Sequence, residues 1–303
     1  LHNLQNVDAE FPVRCLSAVT GVSGSGKSSL VFGVLADERE QRTHVAGLEH
    51  FSRVVVIEQE ALVRMRRSNV ATYTGLYSDI RSLFAATPQA KKLGLGAGAF
   101  SFNTKGGRCE TCEGLGVVPN NLLFFADTEI TCPVCGGRRF GEKVLSVRWN
   151  GKNISDILSL SVEEAMEMFA AERRLAARLH TLCGAGLGQT LTTLSGGEGQ
   201  RLKLAKELME QAQNNVLYLM DEPTVGLHPL DVEHFLALLN GMVEGGATVI
   251  AVEHNQQVIS ASDWVVELGP GGGVDGGRAV FSGTPQELAA CTESATGRFL
   301  EGW

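Results

Sequence analysis

A glycine-rich pattern near the start of the chain constrains its fold more than any other feature. Residues 21–28 read Gly-Val-Ser-Gly-Ser-Gly-Lys-Ser and match the phosphate-loop pattern G-x-x-x-x-G-K-[ST]. A loop of this kind follows a strand and precedes a helix. Residues 16–20 form a short apolar run before it, and apolar side chains recur at helical spacing from Lys27 onward. The pattern therefore predicts a nucleotide-binding α/β domain.

The glycines of this loop would let backbone N–H groups approach phosphate oxygens without a Cβ in the way. Lys27 is placed for the β- and γ-phosphates of ATP, and Ser28 is placed for Mg²⁺. The candidate nucleotide-binding residues of the loop are Gly21, Ser23, Gly24, Ser25, Gly26, Lys27, Ser28 and Ser29.

Three further short apolar runs are typical of buried strands, and each leads to a polar motif residue. Short strands that alternate with helical stretches predict a mostly parallel sheet covered on both faces. Ligands bind at the carboxyl ends of the strands in such sheets, so we expect the motif residues to meet at that edge. The runs are residues 54–57 before Gln59, 216–220 before Asp221, and 247–252 before His254.

The Asp221-Glu222 pair after an apolar strand is typical of the Walker B arrangement. Asp221 would hold Mg²⁺ through water, and Glu222 would orient or activate the attacking water. His254 would contact the γ-phosphate, and Gln59 would couple the nucleotide to an inserted domain. A lone His or Gln is usually structural. The order of all the motifs along the chain favours the catalytic interpretation here.

Residues 194–200, Leu-Ser-Gly-Gly-Glu-Gly-Gln, form an ABC-type signature. Ser195 and Glu198 have capping-box spacing, and Gly196 and Gly197 leave the first N–H groups of the helix uncovered. This predicts a second anion site. The chain already has a phosphate loop, so the second site would serve ATP held by another nucleotide-binding unit. A solitary copy of each motif therefore implies a partner unit.

Four cysteines lie between the phosphate loop and the signature, as Cys109-x-x-Cys112 and Cys132-x-x-Cys135 with a spacer of 19 residues. This spacing matches four-thiolate zinc sites closely, and glycines beside each pair favour the tight turns that such sites need. A redox CxxC pair is the alternative, and two matched pairs argue against it. We expect a structural zinc ion, because four protein ligands leave no position for substrate.

These features divide the chain into an ATP-binding core at residues 1–60 and 213–303 and an inserted domain at 61–212. The inserted domain should be mainly α-helical and should carry a zinc module at about 100–145. A capping box at Ser161 and Glu164 predicts a helix that runs toward Leu182. Residues 269–277 are glycine-dense and predict a turn-rich loop. The chain does not begin with Met, which suggests a piece of a longer protein.

The charge distribution differs between segments of the chain. The formal net charge is −8 at pH 7, yet residues 64–108 carry +7, so the remainder carries −15. Residues 138–152 form a second basic stretch. Basic segments on an acidic protein are compatible with a polyanionic partner, and an ordinary solvated surface is the alternative. The longest apolar runs are far below the roughly 20 residues of a membrane span. We expect a cytoplasmic protein without a membrane partner.

The motifs together resemble the second nucleotide-binding half of the UvrA family of bacterial excinuclease proteins, and the resemblance covers nearly the whole chain. The cysteine module is its most specific part, because transporter ATPases of the ABC class lack it. The matching segments are residues 20–30, 67–75, 100–117, 132–140, 193–208, 219–229 and 252–255.

This resemblance implies an ABC core, an inserted signature domain with a zinc module, and ATP-driven recognition of damaged double-stranded DNA in nucleotide excision repair. It implies ATP, Mg²⁺ and Zn²⁺ as cofactors, and by motif match it places Arg64 and Arg67 against DNA. The partner unit would be the other half of a longer chain or a second copy. The excinuclease protein UvrB would join the full assembly without contacting this half.

Two other functions are compatible with the sequence. A divergent relative of the family could serve antibiotic self-resistance. A transporter ATPase would explain the ATP motifs but not the cysteines.

Overall fold

The structure is a computed structural model that describes residues 3–37, 44–58, 67–120, 128–179, 182, 187–210 and 214–300. The chain divides into two compact units. The first unit comprises Leu1–Glu60 and Glu210–Trp303, and the second comprises Ala61–Met209.

The first unit is built on a six-stranded sheet. All neighbouring strands are parallel except the last pair, which is antiparallel. Across the sheet the order is β2-β5-β6-β1-β7-β8, where β3 and β4 belong to the second unit. The strands of this sheet are β1 (Leu16–Gly21), β2 (Arg53–Ile57), β5 (Val216–Asp221), β6 (Thr248–Val252), β7 (Trp264–Gly269) and β8 (Arg278–Gly283).

Both faces of the central strands are covered. Successive side chains of β1 point to opposite faces: Ala18 packs with Ile259 and Leu288, whereas Val19 packs with Val31 and Leu219. The α-helices among the described residues of this unit are α1 (Lys27–Leu30), which continues as a π-helical turn (Val31–Leu35), α10 (Pro229–Glu244), α11 (Gln256–Ala261) and α12 (Pro285–Ala290).

The predicted parallel sheet is confirmed, and the four predicted strands coincide with β1, β2, β5 and β6 within one or two residues. The side chains of β1, β5 and β6 are buried almost throughout because these strands are covered on both faces, whereas β2, at the edge of the sheet, has an exposed Val56. β7 and β8 were not predicted from the sequence. The glycine-dense segment at 269–277, predicted as a turn-rich loop, contains the end of β7 and the connection to β8.

The second unit is mainly helical. Its core contains four fully buried phenylalanines, Phe84, Phe100, Phe140 and Phe169, with aliphatic residues around them. The only strands among its described residues are the antiparallel pair β3 (Val117–Asn120) and β4 (Thr128–Thr131). The α-helices in the part of this unit that the structure describes are α2 (Val70–Tyr73), α3 (Leu76–Ala86), α4 (Pro88–Lys92), α5 (Glu142–Leu145), α6 (Ile154–Leu158), α7 (Val162–Met168), α8 (Arg173–Leu179) and α9 (Gly196–Glu210).

The predicted single helix from Ser161 toward Leu182 is wrong. The capping box of Ser161 is present, but α7 ends at Met168 and a new helix begins at Arg173. Phe169 is fully buried and stacks on Trp149 with ring centroids 5.1 Å apart. Residues 170–172 contain no helix breaker, so this packing, and not local propensity, ends the first helix.

No helix among the described residues combines the length and apolar character that a bilayer span would demand.

Candidate functional site

The phosphate loop follows β1 directly and needs its glycines. Gly21, Gly24 and Gly26 have φ values of 126°, 74° and 105°, a region that L side chains rarely adopt. A Cβ on Gly21 would also overlap the backbone carbonyl of Leu268 on the adjacent strand β7. The loop therefore exists in this shape only with glycine at these positions.

Lys27, the first residue of α1, reaches back over the loop. Its Nζ donates hydrogen bonds to the backbone carbonyls of Gly21 at 3.0 Å and Val22 at 2.9 Å, and the residue is 6% exposed. Burial lowers the pKa of this amine, and the charges of Glu222 and Asp221 oppose the shift. Lys27 is thus held at the loop within the electrostatic reach of both acids.

The glycine-rich connection between β7 and β8 packs against the phosphate loop. The N–H groups of Gly273 and Gly277 donate to the carbonyls of Gly24 and Ser25, each at 3.0 Å. A Cβ on Gly272 would lie 2.6 Å from the carbonyl oxygen of Ser23. This loop was predicted from the sequence, without a role. The density of glycines was the signal that two backbones approach closely.

The two acids at the end of β5 lie beside the end of β6. The register pairs Asp221 with Val252, so the residues that follow each strand are neighbours. The N–H of Glu222 donates to the carbonyl of Val252 at 2.9 Å, and His254 Nε2 lies 3.5 Å from Glu222 Oε1. Burial raises the pKa of Asp221, and the nearby charge of Glu222 adds to the rise. A cation at this carboxylate would be favoured by the same negative field.

A buried carboxylate that the sequence analysis missed lies between these loops. Glu253 is 2% exposed and accepts hydrogen bonds from Thr224 and from the backbone of His254. The signal in the sequence for this carboxylate was a charged residue directly after the apolar run 248–252. It was not predicted because the functional role at the end of that strand was assigned to the next residue, His254.

The candidate residues of the signature lie in the second unit. The reciprocal capping box is confirmed: Ser195 N–H donates to Glu198 Oε2 at 2.7 Å, and Glu198 N–H donates to Ser195 Oγ at 3.3 Å. Gly196 begins α9, and Gly197 is buried in its first turn. Gln59, the predicted coupling residue, lies outside the described residues.

The four cysteines converge on one point in the second unit. All four are buried, and their sulfurs lie within 4.8 Å of one another, with Cys109 and Cys132 Sγ 3.9 Å apart and Cys112 and Cys135 Sγ 3.7 Å apart. Sulfurs about 2.3 Å from a tetrahedral zinc ion would be about 3.8 Å apart. The donor set and its spacing therefore fit zinc.

Local backbone geometry creates this cluster. Strands β3 and β4 bring the two pairs together, and Cys132 N–H donates to the Gly116 carbonyl at 2.9 Å. Gly114, Gly116, Gly136 and Gly137 all have positive φ, as tight turns around the thiols require. Burial raises the pKa of the Cys112 and Cys135 thiols, whereas the backbone N–H of Cys135 lowers the pKa of the Cys132 thiol to about 7. Thiolate at this position is the form that binds metal.

Arg67 is joined to the cysteine module. Its guanidinium donates to the Glu113 carboxylate at 2.9 Å and to the Glu113 backbone carbonyl at 3.3 Å, and Arg108 lies 3.7 Å from the same carboxylate. The Arg67 hydrogen bond and the Arg108 charge lower the pKa of Glu113. Arg67 stays partly exposed. Arg64 lies outside the described residues.

The predicted residues thus form separate groups. In the first unit, Lys27, Asp221, Glu222 and His254 meet at the carboxyl edge of the sheet, where Ser23, Ser25, Ser28 and Ser29 belong to the loop and the first turn of α1. In the second unit, Arg67 contacts Glu113, the residue that directly follows Cys112 of the cysteine cluster.

Comparison with known proteins gives one consistent result. UvrABC system protein A of Mycobacterium leprae is 46% identical over 315 residues, which is 99% of this chain and 32% of that protein. The Bacillus subtilis protein of the same name is 45% identical and covers 99% of this chain. No protein-family model matches the chain.

A solved structure agrees with the sequence comparison. The crystal structure of UvrA2 from Deinococcus radiodurans superposes with a TM-score of 0.87 at 48% identity, and the match covers 99% of this chain and 38% of that one. The chain spans about a third of the length of the curated relatives it matches. With this identity along its whole length, and with the fold described above, the chain matches about a third of a UvrA-family protein.

Proposed function

We propose that the chain is an ATP-binding and ATP-hydrolysing module that binds damaged DNA in nucleotide excision repair. The observation that carries this proposal is the convergence of Lys27, Asp221, Glu222 and His254 at one sheet edge in a chain of UvrA sequence. The relatives are named as components of the UvrABC system, and our chain corresponds to part of them.

The phosphate loop would bind the nucleotide. Backbone N–H groups of the loop and the positive end of α1 would point toward the phosphate oxygens. Lys27 would exchange its bonds to the Gly21 and Val22 carbonyls for bonds to the β- and γ-phosphates. Ser28 and Asp221 would hold Mg²⁺, which neutralises charge on the phosphates when it is bound.

Glu222 and His254 would carry the hydrolysis step. Glu222 would accept a proton from, or orient, the water that attacks the γ-phosphate. His254, 3.5 Å away, would hold that water or the γ-phosphate in line through its imidazole. Gln59 would link this site to the second unit.

The signature would complete a composite site with a partner. Ser195 caps α9, and Gly196 and Gly197 add no side chain to its first turn, which would suit a phosphate of ATP bound elsewhere. The partner would be a second ABC unit, in the same longer protein or in a second copy of the chain. UvrB would belong to the full assembly and would not contact this module.

The cysteine cluster would hold a structural zinc ion through Cys109, Cys112, Cys132 and Cys135. The described cluster offers four thiols and leaves no open position, so it would stabilise the module without catalysing a reaction. A reducing compartment such as the cytoplasm would keep these thiols available.

The basic surface of the second unit would bind DNA. Arg67 is partly exposed beside the cysteine module, and Arg64 precedes it within the +7 segment. Phosphate contacts by Lys and Arg dominate the affinity for DNA. The self-resistance and transporter alternatives are not favoured, because proteins named UvrABC system protein A match 99% of the chain.

ATP turnover with and without duplex DNA tests the proposal. We expect the chain, paired with its partner unit, to hydrolyse ATP and to change its rate when duplex is added. Failure to bind ATP at the phosphate loop, measured directly with a fluorescent ATP analogue, would contradict the nucleotide part of the proposal.

A further inference from the structure

We propose that Glu253 is a positioning residue that fixes Glu222 and His254 relative to each other. The inference rests on the proposed ATPase function and adds a residue to its site. Glu253 is buried, at 2% exposure, and we assign it no contact with the nucleotide. It would act through the two loops that it joins.

Glu253 divides its two carboxylate oxygens between the loops. Oε1 accepts from the backbone N–H of Thr224 at 3.0 Å and from its hydroxyl at 2.6 Å. Oε2 accepts from the N–H groups of His254 at 2.9 Å and Asn255 at 3.1 Å. One side chain therefore ties the loop after β5 to the loop after β6.

The loop after β5 needs such a restraint. Glu222 has a φ of +43°, a left-handed conformation that is unfavourable for a residue with a Cβ and persists only where its surroundings enforce it. Its own N–H is held by the Val252 carbonyl, and Thr224, two residues later, is held by Glu253. The conformation of Glu222 is thus fixed on both sides.

A carboxylate is the group that satisfies this arrangement. Four groups donate to it, three of them backbone N–H groups, and an ionised carboxylate is the side chain that offers only acceptors. A glutamine would turn an NH₂ group toward one pair and leave at least one backbone N–H unpaired. Glu253 is 2% exposed and Thr224 is 6% exposed, so water could not readily replace the lost bonds.

The test compares Glu253→Gln with Glu267→Gln. Glu267 is a matched control, because it is also buried, at 1% exposure, and its carboxylate accepts from Ser294 and from the N–H and hydroxyl of Thr296. Its partners belong to the C-terminal segment. We expect Glu253→Gln to lower kcat by roughly 100-fold with ATP Kd within about twofold, because a misplacement of about 1 Å costs that much. Glu267→Gln should leave kcat per folded molecule near that of the wild type.

Two further measurements separate positioning from general stability. Hydrogen exchange at the Thr224, His254 and Asn255 amides should accelerate in Glu253→Gln and not in Glu267→Gln. Thr224→Val removes one of the donors and should lower kcat in the wild-type chain but have little additional effect in Glu253→Gln.

The outcomes distinguish this inference from the proposed function. Equal losses of kcat in the two glutamine variants, or wild-type kcat in Glu253→Gln, would overturn the positioning role. If the wild-type chain hydrolyses no ATP, the proposed function fails, and the exchange rates still decide whether Glu253 holds the two loops.

Discussion

His254 Nε2 lies 3.5 Å from Glu222 Oε1. The two residues follow strands whose last residues, Asp221 and Val252, are 31 positions apart in the sequence. The parallel register of β5 and β6 places these strand ends side by side. A carboxylate and an imidazole this close can contact the same water, which would donate to the carboxylate, and the imidazole N–H could donate to a phosphate oxygen beside it. The catalytic assignment of both residues depends on this contact.

Glu222→Gln should retain ATP binding and slow hydrolysis by about 100-fold or more, the usual contribution of a positioned base. The amide keeps the size of the side chain and removes the proton acceptor. Glu233→Gln, an exposed position on α10, is the control. Steady-state turnover in the paired assembly and ATP binding should be measured separately. Undiminished turnover would remove Glu222 from its proposed role.

Gly272→Ala should weaken ATP binding, because its Cβ would lie 2.6 Å from the Ser23 carbonyl and displace the phosphate loop. Loss of one hydrogen bond to a charged phosphate costs roughly 1.5–3 kcal/mol, or about tenfold or more in Kd. Gly241→Ala is the control. Gly241 lies in α10, and a Cβ added there would have no other atom within 4 Å. This variant should keep wild-type affinity, which calorimetry can measure. Equal affinities of the three proteins would exclude any role of the glycine-rich connection.

The chain should bind one zinc ion, and Cys132→Ser should abolish this stoichiometric binding. A structural zinc contributes roughly 10 kcal/mol to folding in small modules, so the second unit should unfold at a markedly lower temperature. Cys15→Ala is the control, because Cys15 lies in the first unit and does not belong to the cluster. Metal analysis and calorimetry give both values. Retention of one zinc ion by Cys132→Ser would contradict the four-cysteine site.

The hydrogen bond between Arg67 and Glu113 should weaken in acid. The Arg67 hydrogen bond and the Arg108 charge lower the pKa of Glu113 below 4.5, so the stabilisation is fully present above pH 4.5 and disappears as the pH falls through the lower, folded pKa. NMR titration of the Glu113 carboxyl carbon should report the lowered pKa of Glu113. The pKa should be lowered less in Arg67→Gln. An unshifted Glu113 would show that the hydrogen bond does not form in solution.

Much of the first unit was predictable because its central strands are covered on both faces. Strands such as β5 are apolar at every position and end at a charged residue, which a sequence shows directly. The second unit was harder to predict. The break between α7 and α8 follows from Phe169 stacking on Trp149, a contact between residues 20 positions apart that no local pattern encodes.

The site shows the same division. The phosphate loop, the Asp221-Glu222 pair and the four cysteines were predictable because their chemistry fixes their spacing. Glu253 was not, because its role depends on Thr224, which lies 29 positions away in sequence and is brought near only by the pairing of β5 with β6. The close approach of Gly272 to Ser23 likewise exists only in the folded chain.

Binding of duplex DNA as a function of salt tests the central claim most directly, with damaged and undamaged duplex, with and without ATP. We expect tighter binding to damaged duplex and a dependence on ATP. Arg67→Glu should weaken binding and reduce the salt slope by about one unit for each phosphate that the variant no longer neutralises. Arg298→Glu, which changes the net charge equally at an exposed position of the first unit, should not change the slope. A salt slope in Arg67→Glu that equals the wild-type slope, or no affinity for duplex at any salt concentration, would contradict a DNA-binding ATPase.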